Sequence, residues 1–268
     1  MKASLRNLYL LPVLIAGLGL ILAGRVTAQT NHTSIPFSQI GDAAREHYTG
    51  NGLSIVQSAE GASLRCVFQK LEGRINSEGL WLTSTTGPSN NAPFRVVAQS
   101  VGREHCRPLP LVGTGEVEAL AELARFHRVG LDEEYTVSVD GVRQDFIIES
   151  PPLNPQRSTL NQSAGDLRVV LAPSGARAVA AAGGARLRLD GSGRVLAYSR
   201  LRVKDATGQE LTAHLEVLSA DQLAVSVADA NATYPVRIDP TFSDADWVSL
   251  GSGVNNAVRG SAKRFLRR

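Results

Sequence analysis

The chain has 268 residues, 43% of them hydrophobic and 20% charged, with 28 basic and 25 acidic side chains. Three of the basic residues lie within 1–28 and five within 257–268, so residues 29–256 carry 20 basic against 25 acidic groups and form a mildly acidic body. Sequence-independent nucleic-acid binding needs a basic face on the body of a protein, so composition argues against a nucleic-acid partner.

Lys2 and Arg6 precede an apolar run of about 16 residues from Leu8 to Ala23, followed by Val26-Thr27-Ala28. That order of charged, apolar and small residues is the pattern of a secretory signal peptide cleaved before Gln29. An uncleaved anchor is the competing reading, because the run approaches the roughly 20 residues that span a bilayer, but Pro12, Gly17 and Gly19 and the cleavage site favour the signal peptide. No later segment is apolar enough to cross a membrane. The mature chain, about 240 residues, is long enough for one large or two modest β domains.

After a polar leader, Ile40 to Tyr48 has the pattern of a short helix. From Leu53 onward, short apolar or alternating runs at 53–56, 62–71, 80–83 and 94–101 are separated by Gly, Asn, Ser and Pro clusters, which predicts antiparallel strands. Residues 116–127 fit either a helical stripe or an alternating strand, and the strand is preferred. Residues 135–139 and 142–148 flank Asp140-Gly141 and predict a hairpin. The Pro-rich run from Pro151 to about Ser163 is the expected linker. Beyond it, runs at 167–171, 177–181, 185–189, 194–203, 210–218, 223–227 and 234–238 predict a β-sandwich, with hairpin turns at 190–193 and 205–208.

Chemistry-bearing patterns are sparse. There is no G-x-S-x-G elbow, no P-loop, and Gly113-Thr114-Gly115 lacks the third glycine of a dinucleotide fingerprint. Glu104-His105-Cys106 puts three reactive types side by side, yet neighbours on an extended chain point apart. His32, His47, His105, His127 and His214 show no ligand spacing, and Asp190-Gly191-Ser192-Gly193 lacks the further carboxylates of a calcium loop. The acidic clusters at 132–134 and 244–246 sit beside turns, and a glycosidase would need two such carboxylates across a cleft. Cys66 and Cys106 are the only cysteines. They either form one disulfide in an oxidising compartment or stand as a buried strand thiol and an unrelated loop thiol. No catalytic, metal-binding or cofactor-binding residue is assigned.

Three segments carry a resemblance: 61–73 with 78–85 (Gly-Ala-Ser-Leu-Arg-Cys-Val-Phe-Gln-Lys-Leu-Glu-Gly, then Glu-Gly-Leu-Trp-Leu-Thr-Ser-Thr), 138–146 (Ser-Val-Asp-Gly-Val-Arg-Gln-Asp-Phe) and 234–247 (Tyr-Pro-Val-Arg-Ile-Asp-Pro-Thr-Phe-Ser-Asp-Ala-Asp-Trp). Over roughly residues 40–256 the chain resembles the N-terminal leader region of large secreted bacterial proteins, in which Tyr-Pro-x-x-Ile-Asp-Pro leads into tandem propeller-like repeats. Residues 247–253 look like the opening of a first repeat, but none follows it, which implies a truncated or frameshifted end. The resemblance brings no catalytic residues.

The expectation is a mostly β protein of one or two antiparallel β-sandwich-like domains: signal peptide 1–28, N-terminal β domain 29–150, linker 151–163, C-terminal β-sandwich 164–242, and the start of a truncated repeat with a basic tail at 243–268. The expected function is that of a non-enzymatic, exported structural or interaction module of the cell surface or secreted fraction, without cofactors and with an unknown protein or glycan partner. The alternative is a carbohydrate-binding or carbohydrate-active β-sandwich with Trp81 or Trp247 exposed beside an acidic groove. Val258, Ala262, Phe265 and Leu266 among five basic residues also suggest weak membrane-surface contact by the tail.

Overall fold

The computed structural model describes residues 50–87, 91–152 and 165–247. The signal peptide, the short helix at 40–48, most of the Pro-rich run and the basic tail lie outside the described residues. The rest is antiparallel β, as alternation and turn chemistry predict. The first four strands, β1 (Leu53–Ser58), β2 (Gly61–Cys66), β3 (Leu71–Asn76) and β4 (Gly79–Ser84), form a meander in sequence order. The run expected as one strand at 62–71 is broken by a 3-10 turn at Val67–Gln69, closed by Lys70 at φ 52°. The break lets β3 fold back on β2, Cys66 opposing Leu71.

Next come β5 (Arg95–Arg103), β6 (Leu109–Pro110), β7 (Glu116–Ala119), β8 (Leu123–Arg128), β9 (Leu131–Ser138) and β10 (Gly141–Ile148). The ambiguous stretch at 116–127 is therefore a β hairpin. The predicted hairpin at 135–148 is present, with its turn one residue earlier: Ser138 pairs Gly141, leaving Val139 and Asp140 as the two central residues. Gly141 has φ 145°, and a Cβ there would be driven into the Phe242 carbonyl oxygen. It is a glycine because another strand's backbone passes over it.

The remaining strands are β11 (Leu167–Ser174), β12 (Ala176–Ala181), β13 (Gly184–Leu189), β14 (Val195–Ser199), β15 (Val203–Lys204), β16 (Ala213–Ser219), β17 (Gln222–Val227), β18 (Val236–Ile238) and β19 (Thr241–Asp244). The strand expected at 194–203 divides because Arg200 adopts φ 57°, and β19 is a strand that periodicity alone does not announce.

Ten strands form one sheet, with the path β12-β13-β14-β19-β10-β9-β8-β7 and with β18 pairing both β10 and β15. A five-stranded sheet runs β16-β17-β11-β5-β6. Both sheets draw strands from either side of the Pro-rich run: β11 pairs β5, and β18 and β19 pair β10. The expected division into separate domains at 29–150 and 164–242 is thus corrected to one interleaved β unit. Neither half could satisfy its backbone groups without the other.

The meander packs on the β7 and β9 end of the large sheet, while β16 packs on its β12 and β13 end, and one buried apolar cluster runs through all three sheets. Inside it lies a polar network. Glu133 pairs with Arg128 and accepts from the Tyr135 hydroxyl (2.9 Å) and Gln144 Nε2 (2.8 Å). Gln144 Nε2 also donates to the Val96 carbonyl of β5 (3.0 Å), and its Oε1 accepts from Tyr198 of β14 (3.0 Å). One amide therefore ties both sheets together across the core. Burial, followed by the neighbouring Glu133 charge, keeps the Tyr135 and Tyr198 hydroxyls protonated well beyond the ordinary tyrosine range.

Replacing Gly141 with alanine is expected to cost about 2–4 kcal/mol, from the positive φ and the collision with the Phe242 carbonyl together. Gly183→Ala, at φ 73° with nothing near the added carbon, should cost only about 1 kcal/mol. Urea unfolding of the two variants checks this, and equal losses would show that β19 does not press on the hairpin.

Candidate functional site

The three segments that carry the resemblance lie far apart in sequence and meet at one end of the large sheet. The turn after β2 brings in Gln69, which is fully buried. Its Nε2 donates to the Val139 carbonyl at the tip of the β9–β10 hairpin (2.7 Å), and its Oε1 accepts from the backbone N–H of Asp244 at the end of β19 (2.8 Å). The Cys66 thiol donates to the Ser138 carbonyl (3.3 Å). Trp247 Nε1 donates to Asp140 Oδ1 (3.1 Å), and Arg200 donates to the Asp140 carbonyl (2.9 Å).

Arg194, at the start of β14, completes the cluster. Its guanidinium donates to the carbonyls of Gln69 (2.7 Å) and Lys70 (2.9 Å), to Ser84 Oγ (3.1 Å) and to Asp244 Oδ2 (2.9 Å). Burial opposes ionisation of Asp244, but the Arg194 hydrogen bond and the Asp246 N–H outweigh it and hold the carboxyl below its usual range. A planar fork of donors suits this role, since one side chain can serve several acceptors at fixed angles.

The cysteines do not pair in this arrangement. Both are free: Cys66 is buried within the junction, while Cys106 is partly exposed in the loop leaving β5 in another sheet. Burial pushes the Cys66 thiol up to about 11, which makes it an inert packing group. Of the adjoining residues, Glu104 faces Arg168 at 3.5 Å, and His105 sits at φ 64° in the turn.

The acidic cluster at 132–134 is split by strand alternation. Glu133 points inward to the core network, and Asp132 faces His127 Nδ1 at 3.1 Å on the outer side. Glu134, also outward, is bridged by Arg125 (2.6 Å) and Arg237 (2.7 Å). Burial raises its pKa, but these two guanidiniums prevail and lower it overall. Directly opposite on β10 is Asp145, fully buried, held by Arg237 (2.5 Å) and Arg143 (2.9 Å). Burial and then the Asp145 charge push the nearby Asp239 carboxyl up to about 6. Among the described residues, no three His, Cys, Asp or Glu side chains converge as a metal-ligand set.

The tryptophans are engaged as well. Arg95 lies 4.2 Å over the Trp81 ring, whose Nε1 donates to Glu78 (3.2 Å), and Trp247 is 36% exposed. No helix among the described residues is long and apolar enough to cross a membrane. Sequence reasoning did not single out Gln69, Gln144 or Arg194. For Gln144 a signal was present: it stands in the inward phase with Val142, Phe146 and Ile148, where a polar residue needs an internal partner. No protein-family model matches the chain, and no curated protein matches it.

Gln69→Leu keeps the volume but strands the Val139 carbonyl and the Asp244 N–H, so a loss of about 2–4 kcal/mol is expected in urea unfolding; a loss near zero would show that water replaces the amide. For Asp239, a folded value near 6 against an ordinary 3.8 means that the native state holds the proton more tightly, so stability falls as pH rises through that window. Asp239→Asn should therefore gain on the native chain progressively between about pH 4 and pH 6 and hold that gain above it. Melting curves against pH for the two proteins check the sign, and because Glu134 and Asp244 titrate alike in both, their opposite slopes cancel in the difference.

Proposed function

We propose that the chain is a non-enzymatic exported module, a structural and interaction platform that leads a secreted or cell-surface repeat protein. The observation that carries this reading is the fixed exit of the strand bearing Tyr-Pro-Val-Arg-Ile-Asp-Pro. Asp244 is tied to Gln69 and Arg194, and Trp247 to Asp140, so the chain is held against the module up to its last described residue. A mobile tether would need none of these bonds. The engagement of Glu133, Glu134, Asp145 and Asp244 with arginines also favours structural over acid–base roles for these carboxylates.

The test is expression of the full chain in a bacterial host, with the mature N-terminus read by mass spectrometry in the extracytoplasmic fraction. A chain starting at Gln29 outside the cytoplasm is the expected result. Retention in the cytoplasm with the first 28 residues still attached would overturn the reading.

A further inference from the structure

Directly opposed residues of an antiparallel pair point to the same face, and successive residues point to opposite faces. In the β12–β13 hairpin, Arg177 opposes Arg188 and Val179 opposes Arg186. Ala178, Leu187 and Leu189 turn into the core, so these four point outward, and all four are exposed. On the next strand Val195 opposes Arg188 and Ala197 opposes Arg186, both half-buried. The three arginines thus form an L, with Val179 in its angle and Val195 and Ala197 beside it on the next strand.

Like charges directly opposed on a sheet face destabilise it. Elsewhere arginines are typically answered: Arg65 lies 3.3 Å from Glu72, Arg168 2.5 Å from Glu216 and Arg103 2.5 Å from Asp229. Among the described residues, Arg177, Arg186 and Arg188 have no carboxylate within ion-pair distance. Asp221 feels the Arg177 charge, but its carboxyl is held low first by the Ser219 hydroxyl. The hairpin therefore keeps a repulsion that a single glutamate would relieve.

We infer that the outer face of β12, β13 and β14 binds a linear carboxylated polysaccharide, an assignment that rests on the exported-module reading and names its partner. Residues two apart on a strand are separated by about 6.5–7 Å and opposed residues by about 5 Å, so the three arginines form an L-shaped cationic cluster rather than one point. Each can take a carboxylate in bidentate fashion, and the Val and Ala floor suits the C–H faces of sugar rings between them. No aromatic side chain of the described residues lies on this face, which removes the stacking that holds single-stranded nucleic acid. The floor side chains are too short to insert into a bilayer. Residues 29–256 are mildly acidic overall, so attraction of a polyanion to their surface depends on local basic clusters such as this one.

The test uses the full chain in affinity electrophoresis through gels containing polygalacturonate or neutral dextran, at low salt and at about 0.15 M, where exposed charges are screened beyond about 8 Å. Salt-sensitive retardation by polygalacturonate alone is expected. The R177Q/R186Q/R188Q variant should lose it by about tenfold or more, whereas R74Q, at another exposed arginine without an ion-pair partner, should keep it. The triple variant should also melt no lower than the native chain, because the repulsion between Arg177 and Arg188 is gone; that separates lost binding from lost folding. Unchanged retardation of the triple variant overturns the assignment. So does equal or tighter binding to single-stranded DNA or to anionic vesicles. An exported chain that ignores polygalacturonate defeats this inference and leaves the platform reading standing, while a chain that binds but stays in the cytoplasm does the reverse.

Discussion

The fold depends on the insertion of residues 236–244 between β10 and β14. Those two strands are separated by more than forty residues and do not pair with each other; β19 bonds to both, and β18 continues the same strand line along β10 and β15. Without that segment two rows of backbone donors and acceptors would face apolar surroundings, where each unpaired group costs about 1–3 kcal/mol. The large sheet is therefore complete only when the final described strands are in place. Gly141 has no side chain for the same reason, since the incoming strand passes where its Cβ would be.

Once that strand is seated, polar groups fix its register. A one-residue slip would turn Val236, Ile238 and Phe242 out of the core, and it would also break the bonds of Arg237 to Glu134 and Asp145 on the outer side. On the inner side the Arg128–Glu133 pair is fully desolvated and stabilises little in itself. Its partners Tyr135 and Gln144 matter more, because they satisfy the remaining lone pairs and lead through Gln144 to Val96 and Tyr198. Loss of one member leaves a buried charge or amide unpaired, which is far costlier than the pair is worth. Such a network discriminates against other packings of an otherwise uniform Val, Leu and Ile core.

What was legible in the sequence was local. Alternation and turn residues announce the β9–β10 hairpin, the strand character of 116–127 and most strands of the second half, because each depends on neighbours within a few residues. The errors occur where a distant contact decides. The run at 62–71 breaks so that Gln69 can reach Val139 and Asp244. The strand at 241–244 exists because β10 and β14 need a partner, and Thr241, Ser243 and Asp244 give it no strong apolar signal. The two-domain division failed for a related reason: a Pro-rich run marks a place where the chain leaves a sheet, and it is silent on whether the chain returns to the same one. The site was less legible still, since Gln69, Arg194 and Asp244 are ordinary polar residues until three remote segments meet.

The two surface features of the large sheet stand in different relations to its stability. At the junction, Arg194 and Gln69 satisfy carbonyls that would otherwise be buried and unpaired, so the bonds that hold Asp244 in place also meet a structural need. On β12 and β13 no such need is met, since opposing Arg177 to Arg188 weakens an edge hairpin that could be strengthened by one acidic substitution. A local rule broken with only the Asp221 charge to offset it points to a demand from outside the fold. The two features adjoin at β14, which carries part of the arginine face and pairs β19 of the junction, with the sheet hydrogen-bonded throughout. A partner held on the arginine face would therefore be held in fixed orientation to Asp244 and Trp247, with no hinge among the strands that connect them.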